Sequence, residues 1–91
     1  MVGNFAISKA GHDKGTLYII LKEEETYVYV VDGLHKLIDT PKKKSKKHMQ
    51  PVIKYVNTEI KERIQIGNYP RNEEIRKAIK NYELSKQNVK S

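Results

Sequence analysis

Between Thr26 and Val31 the chain places six β-branched or aromatic residues in a row, Thr-Tyr-Val-Tyr-Val-Val, with no helix former among them. Such side chains lose little freedom on a pleated strand and are crowded on a helix. The segment reads as a strand, so the fold must supply a sheet around it. Asp32-Gly33 follows at once. That pair suits a two-residue type I′ turn, with Leu34 to Ile38 expected to return as the second arm of a hairpin.

Two more strands are expected upstream. In Asn4 to Lys9, Phe5 and Ile7 share one face of a pleat while Asn4, Ala6 and Ser8 take the other. Ala10 to Gly15 is a turn, with Gly11 and Gly15 supplying positive φ and Asp13 able to bond its own backbone. Thr16 to Leu21 is apolar on both faces, as a central strand covered on both sides should be, and Lys22 to Glu25 is a charged connection. Four short strands within the first 40 of 91 residues favour a small antiparallel barrel, because closure hides sheet edges. A chain this short buries only roughly 60% of its unfolded surface and holds one domain. The absence of Cys excludes disulfides, thiolate nucleophiles and sulfur-bound zinc.

The formal net charge of +7 is unevenly placed. Residues 1–40 carry four Lys against six acids, a net of −2; residues 41–50 carry five Lys and no acid, a net of +5; residues 51–91 carry nine bases against five acids, a net of +4. Such asymmetry points to a polyanion, with nucleic acid first among candidates. The cluster Lys42, Lys43, Lys44, Lys46 and Lys47, followed by His48, is expected to be a mobile loop, since its ammonium groups repel and nothing apolar anchors them. A solvated loop, a membrane surface or a localisation signal gives the same pattern. The lack of an adjacent amphipathic helix rich in Leu, Phe or Trp argues against a membrane.

Met49 to Tyr55 reads as a closing strand interrupted by Pro51. From Asn57 the apolar period lengthens to four: Ile60 and Ile64 share a face, Asn57 or Thr58 caps, and Gly67 ends the helix. A second helix opens at Asn72 as cap with Glu73 and Glu74 in its first turn, and Ile75, Ala78, Ile79 and Tyr82 form its stripe opposite Arg76, Lys77 and Lys80. The expected organisation is a barrel over 1–56, including the basic loop 41–48, a helical segment over 57–84 packed on it, and a frayed tail over 85–91.

The segment Gly3 to Gly15, a strand preceded by glycine and followed by a basic, glycine-bounded turn, resembles the KOW motif of ribosomal proteins and transcription elongation factors. Together with Leu17 to Leu21, Asp32-Gly33, the Lys42 to Lys47 cluster and Glu74 to Ile79, it looks like the small bacterial KOW-domain RNA-binding proteins, themselves similar to an archaeal and eukaryotic large-subunit ribosomal protein. The resemblance covers about residues 2 to 82, the first half more specifically. One departure is Tyr18, where many KOW motifs carry a further glycine. The resemblance implies a five-stranded SH3-like barrel and binding of RNA, ribosomal RNA above all, with ribosomal proteins as neighbours.

The expected RNA-contacting residues are Lys9, His12, Lys14, Lys36, Lys42, Lys43, Lys44, Lys46, Lys47 and His48, while Gly11, Gly15, Asp32 and Gly33 shape turns. Asp13 reads as a turn former rather than a ligand. The three histidines lie far apart without zinc-site spacing, and no nucleophile or carboxylate pair sits in an apolar setting. No metal, cofactor, catalytic group or small-molecule substrate is therefore expected. Tyr27 and Tyr29 face opposite Val28 and Val30; if the valines point inward, the tyrosines form an outward aromatic patch. The rival reading is an SH3-like protein-interaction module, whose groove would use the tyrosines and ignore the lysines. With no long apolar run and no signal peptide in its opening residues, a cytoplasmic protein is expected.

Overall fold

The computed structural model describes residues 1–88. Five strands form one antiparallel sheet: β1 (Phe5–Ser8), β2 (Leu17–Glu23), β3 (Tyr27–Val31), β4 (Lys42–Ser45) and β5 (Met49–Pro51), in the order β4-β3-β2-β1-β5. A 3₁₀ turn, Lys46–His48, joins the two edge strands, and helices α1 (Thr58–Gln65) and α2 (Asn72–Asn88) follow. No helix among the described residues is long and apolar enough to cross a membrane.

The sheet is apolar on both faces, as the Leu17–Leu21 run requires. Phe5, Leu17, Ile19, Leu21 and Val31 pack with Ile60, Ile64, Ile75, Ala78 and Tyr82 of the helices. On the opposite face Ala6, Tyr18, Ile20, Val28, Val30 and Met49 form a second buried cluster. The valines of β3 thus point inward and its tyrosines away from them. Phe5 stacks on Tyr82 at 5.0 Å, and Tyr55 closes against both rings. A bulge at Leu21 shifts the β2–β3 register between Ile20 and Lys22. It buries Leu21 on the helical side while Lys22 pairs with Tyr29.

Asn57 caps α1 as expected, its side chain accepting from Ile60 N, and Gly67 takes φ +82° just beyond the helix. Along α2, Ile75, Ala78 and Tyr82 are buried and Ile79 is half-buried against the core, while Arg76, Lys77 and Lys80 are exposed. The helix continues to Asn88, so residues 85–88 of the expected frayed tail are helical. Residues 89–91 of that tail lie outside the described residues.

Two expectations are overturned in the middle of the chain. Residues 34–38 do not return as a strand. The Asp32 carboxylate accepts the N–H groups of Leu34, His35 and Lys36 at 2.9, 2.8 and 2.7 Å, and Asp32 N donates to Lys36 O at 2.9 Å. One side chain satisfying three backbone donors wraps the segment into a compact loop. Gly33, at φ +77°, is buried beneath α2: a Cβ there would meet Asn72 O at 2.3 Å and Arg76 N at 2.8 Å. Asn72 is not a cap but accepts from Ile38 N at 2.8 Å, holding this loop. The Arg71 carbonyl accepts the first helical N–H groups instead.

The strand that does pair with β3 is the lysine run, in the register Tyr27↔Ser45 to Val30↔Lys42. The expected mobile loop is a strand because alternation separates its charges. Lys42 and Lys44 take the side of Val28 and Val30, and Lys43 the side of Tyr27 and Tyr29. Asp13, from elsewhere in the chain, meets the Lys42 and Lys44 face.

Candidate nucleic-acid interface

The β1–β2 turn, residues 10–15, carries Gly11 at φ +88° and Gly15 at φ +89°. Added Cβ atoms there would meet at most Asp13 Oδ1 at 3.6 Å, so glycine is required by conformation and not by crowding. Between them Asp13 turns inward. Its Oδ1 accepts from Ser8 Oγ at 3.0 Å and Lys44 Nζ at 2.9 Å, its Oδ2 accepts from Tyr18 Oη at 2.7 Å, and Lys42 Nζ stands 3.4 Å away. Lys44 Nζ also reaches Ala10 O at 3.4 Å. The turn therefore spans from the middle of the sheet to edge strand β4.

These contacts set the electrostatics of the site. Burial acts to raise the Asp13 pKa, but hydrogen bonds from Tyr18, Lys44 and Ser8 outweigh it and hold the carboxyl well below its usual range. The same contact, added to burial, pushes the Tyr18 phenol up and keeps it a donor. Tyr18 is thus one of the residues that fasten the turn.

The five clustered lysines divide. Lys44, with 10% of its side chain exposed, and Lys42 are committed to Asp13. Lys46 pairs with Glu23 at 2.9 Å; that carboxylate also meets the terminal ammonium at 3.3 Å and is lowered in pKa chiefly by the Lys46 hydrogen bond. Lys43 Nζ sits 4.0 Å over the Tyr27 ring. Lys47 is exposed in the 3₁₀ turn. Lys9, Lys14, Lys43 and Lys47 make no ion pair among the described residues.

Lys9 N donates to His48 O at 2.8 Å, which sets the exposed Lys9 and His48 side by side, with the exposed His12 and Lys14 on the adjoining turn. The turn and the lysine cluster, separate in sequence, form one basic edge. Lys36 lies apart, half-buried in the Asp32 loop docked on α2.

A second surface lies on the helical side of the sheet, beyond the helices. Tyr27 and Tyr29 meet edge to face at 5.6 Å, and Lys22 Nζ lies 5.9 Å from the Tyr29 ring. A hollow of about 290 Å³ opens there, lined by Leu21, Lys22, Tyr29, Ile38, Pro41 and Tyr69. The sequence pointed to Tyr27 and Tyr29, but the bulge that adds Lys22 and the fold that adds Tyr69 have no local signal. The Asp13 hub had a faint one: Lys at 42 and 44, two apart, put two cations on one strand face.

No family model matches this chain, and no curated protein emerges as a relative.

Proposed function

We propose that the protein is a non-enzymatic RNA-binding module of the cytoplasm that associates with structured ribosomal RNA, with ribosomal proteins as its neighbours. We read the sheet as an SH3-like barrel. The β1–β4 meander with β5 returning beside β1, the 3₁₀ turn between the edge strands and the Asp13–Lys44 contact support that reading. One observation carries the RNA reading: Lys9, Lys14, Lys43 and Lys47 are exposed and make no ion pair among the described residues, and His12 and His48 are exposed with them.

Lysines beside a phosphate backbone release counterions and bind without needing a sequence. A glycine-bounded turn adds backbone donors that approach an anion closely. A-form RNA hides its major groove, so a small domain presenting loops recognises shape, phosphates, 2′-hydroxyls and unpaired bases. A protein-interaction module is the second reading, favoured by the tyrosine-lined hollow; it would leave the basic edge unused.

Cross-linking in cells followed by sequencing of the attached RNA tests the proposal. Ribosomal RNA is expected, enriched at a few positions. Recovery no greater than that of an unrelated protein of equal charge and size would overturn it.

A further inference from the structure

We propose that the hollow between β2, β3 and the α1–α2 connection receives one unpaired RNA base; this rests on the RNA-binding reading above. Apolar Leu21, Ile38 and Pro41 line the hollow together with the rings of Tyr29 and Tyr69 and with Lys22. Tyr69 is 43% exposed, an aromatic face held open to solvent. A base offers two flat apolar faces and stacks on such rings whatever its identity.

The cations decide which occupant fits. Tyr29 is paired across the sheet with Lys22 on one side and Lys43 on the other, so each neighbouring strand contributes a lysine beside the Tyr27–Tyr29 pair. Lys43 covers the neighbouring Tyr27 and Lys22 reaches toward Tyr29. A nucleotide chain carries a phosphate on either side of every base and meets both lysines while its base meets the ring. A peptide does so only with acids at matching positions. The acid paired with these lysines among the described residues is Glu24, 3.6 Å from Lys22 at a well-exposed site, a contact that a phosphate replaces. The Leu21 bulge is the structural device, since it puts Lys22 beside Tyr29 while burying Leu21.

The test uses two RNAs of equal charge, a blunt duplex and a duplex interrupted by unpaired bases, with Tyr29→Ala, Tyr69→Ala and Tyr69→Phe variants of the full chain. Wild-type protein should prefer the interrupted RNA. Either Ala variant should weaken that complex by about 5- to 150-fold, the loss of one stacked base, and leave duplex binding within about twofold. Tyr69→Phe should bind like wild type, because stacking needs the ring and not the hydroxyl. Should Tyr29→Ala fail to fold, the exposed Tyr69 decides alone, its melt serving as control. Equal affinity for both RNAs with no effect of the tyrosines would overturn this proposal and leave the basic edge standing. Failure to bind either RNA would remove both readings. An acidic peptide displaced by the same substitutions, with RNA binding untouched, would assign the hollow to a protein partner.

Discussion

Lys44 Nζ lies 2.9 Å from Asp13 Oδ1, joining the middle of the lysine run to a turn 31 residues earlier in the chain. A lysine that looks like a phosphate ligand in sequence is therefore part of the scaffold. Its ammonium also bonds Ala10 O, so one side chain fixes both the acid and the backbone of the turn. The positive second half of the chain and the acidic first half neutralise each other in part within the fold.

The first prediction separates scaffold from surface among neighbouring lysines. Lys44→Met keeps the aliphatic stem but leaves Asp13 partly buried with one donor fewer, and should destabilise by about 1–3 kcal/mol. Lys43→Met and Lys47→Met touch exposed cations and should stay within about 0.5 kcal/mol of wild type. Urea unfolding of the three variants checks this. Equal stabilities would mean that the Asp13–Lys44 pair contributes nothing.

The acid dependence of stability follows from the same pair. Asp13 titrates lower when folded than its unfolded value near 3.9. Its contribution is thus complete above that value and is lost as the pH falls through and below it. Asp32 adds to the same loss: burial raises its pKa, but three backbone N–H bonds lower it further. Asp13→Asn should be less stable than wild type near about pH 6, and the gap should narrow as the pH drops toward about 2–3. Melts across that range measure it, and a constant gap would show that Asp13 is not held low.

What the sequence made legible is local. Strand β3, the glycine turn, the Asn57 cap and the Ile75-Ala78-Tyr82 stripe each follow from side-chain shape, backbone freedom or period, and each forms. What it hid is set by distant partners. The Lys42–Ser45 segment has no apolar residue and reads as a loop until Asp13 and Tyr27 are placed beside it. Leu34–Ile38 has strand-like residues, but three N–H groups captured by Asp32 leave no ladder to extend. The basic edge was legible as charge, though not which lysines stay exposed, because that depends on acids brought over by the fold.

Gly33 and Gly15 share positive φ but not surroundings, which gives a third prediction. Gly15→Ala places a methyl in open space and bears only the left-handed backbone penalty, about 1–2 kcal/mol. Gly33→Ala adds a collision with backbone atoms of α2 at 2.3 and 2.8 Å. It should be the costlier by at least about 1–3 kcal/mol, as overpacking generally is. Thermal melts decide; similar losses would mean that the Asp32 loop does not press on the helix.

The last prediction concerns which cations meet RNA. Lys9, Lys14, Lys43 and Lys47 are exposed and unpaired among the described residues, whereas Lys42, Lys44 and Lys46 already face Asp13 or Glu23. Each lysine that displaces a phosphate counterion adds roughly 0.7–0.9 to the slope of log affinity against log salt. Replacing the first four with Gln should lower the slope by about 3–4 units and weaken binding at low salt, while stability stays within about 0.5 kcal/mol per site. Replacing Lys42, Lys44 and Lys46 should do the reverse, reducing stability with little change in slope. RNA titrations at several salt concentrations, paired with melts of the same proteins, separate the two sets. A slope that drops with the scaffold lysines instead would place the RNA against the interior end of β4, over the Asp13 turn.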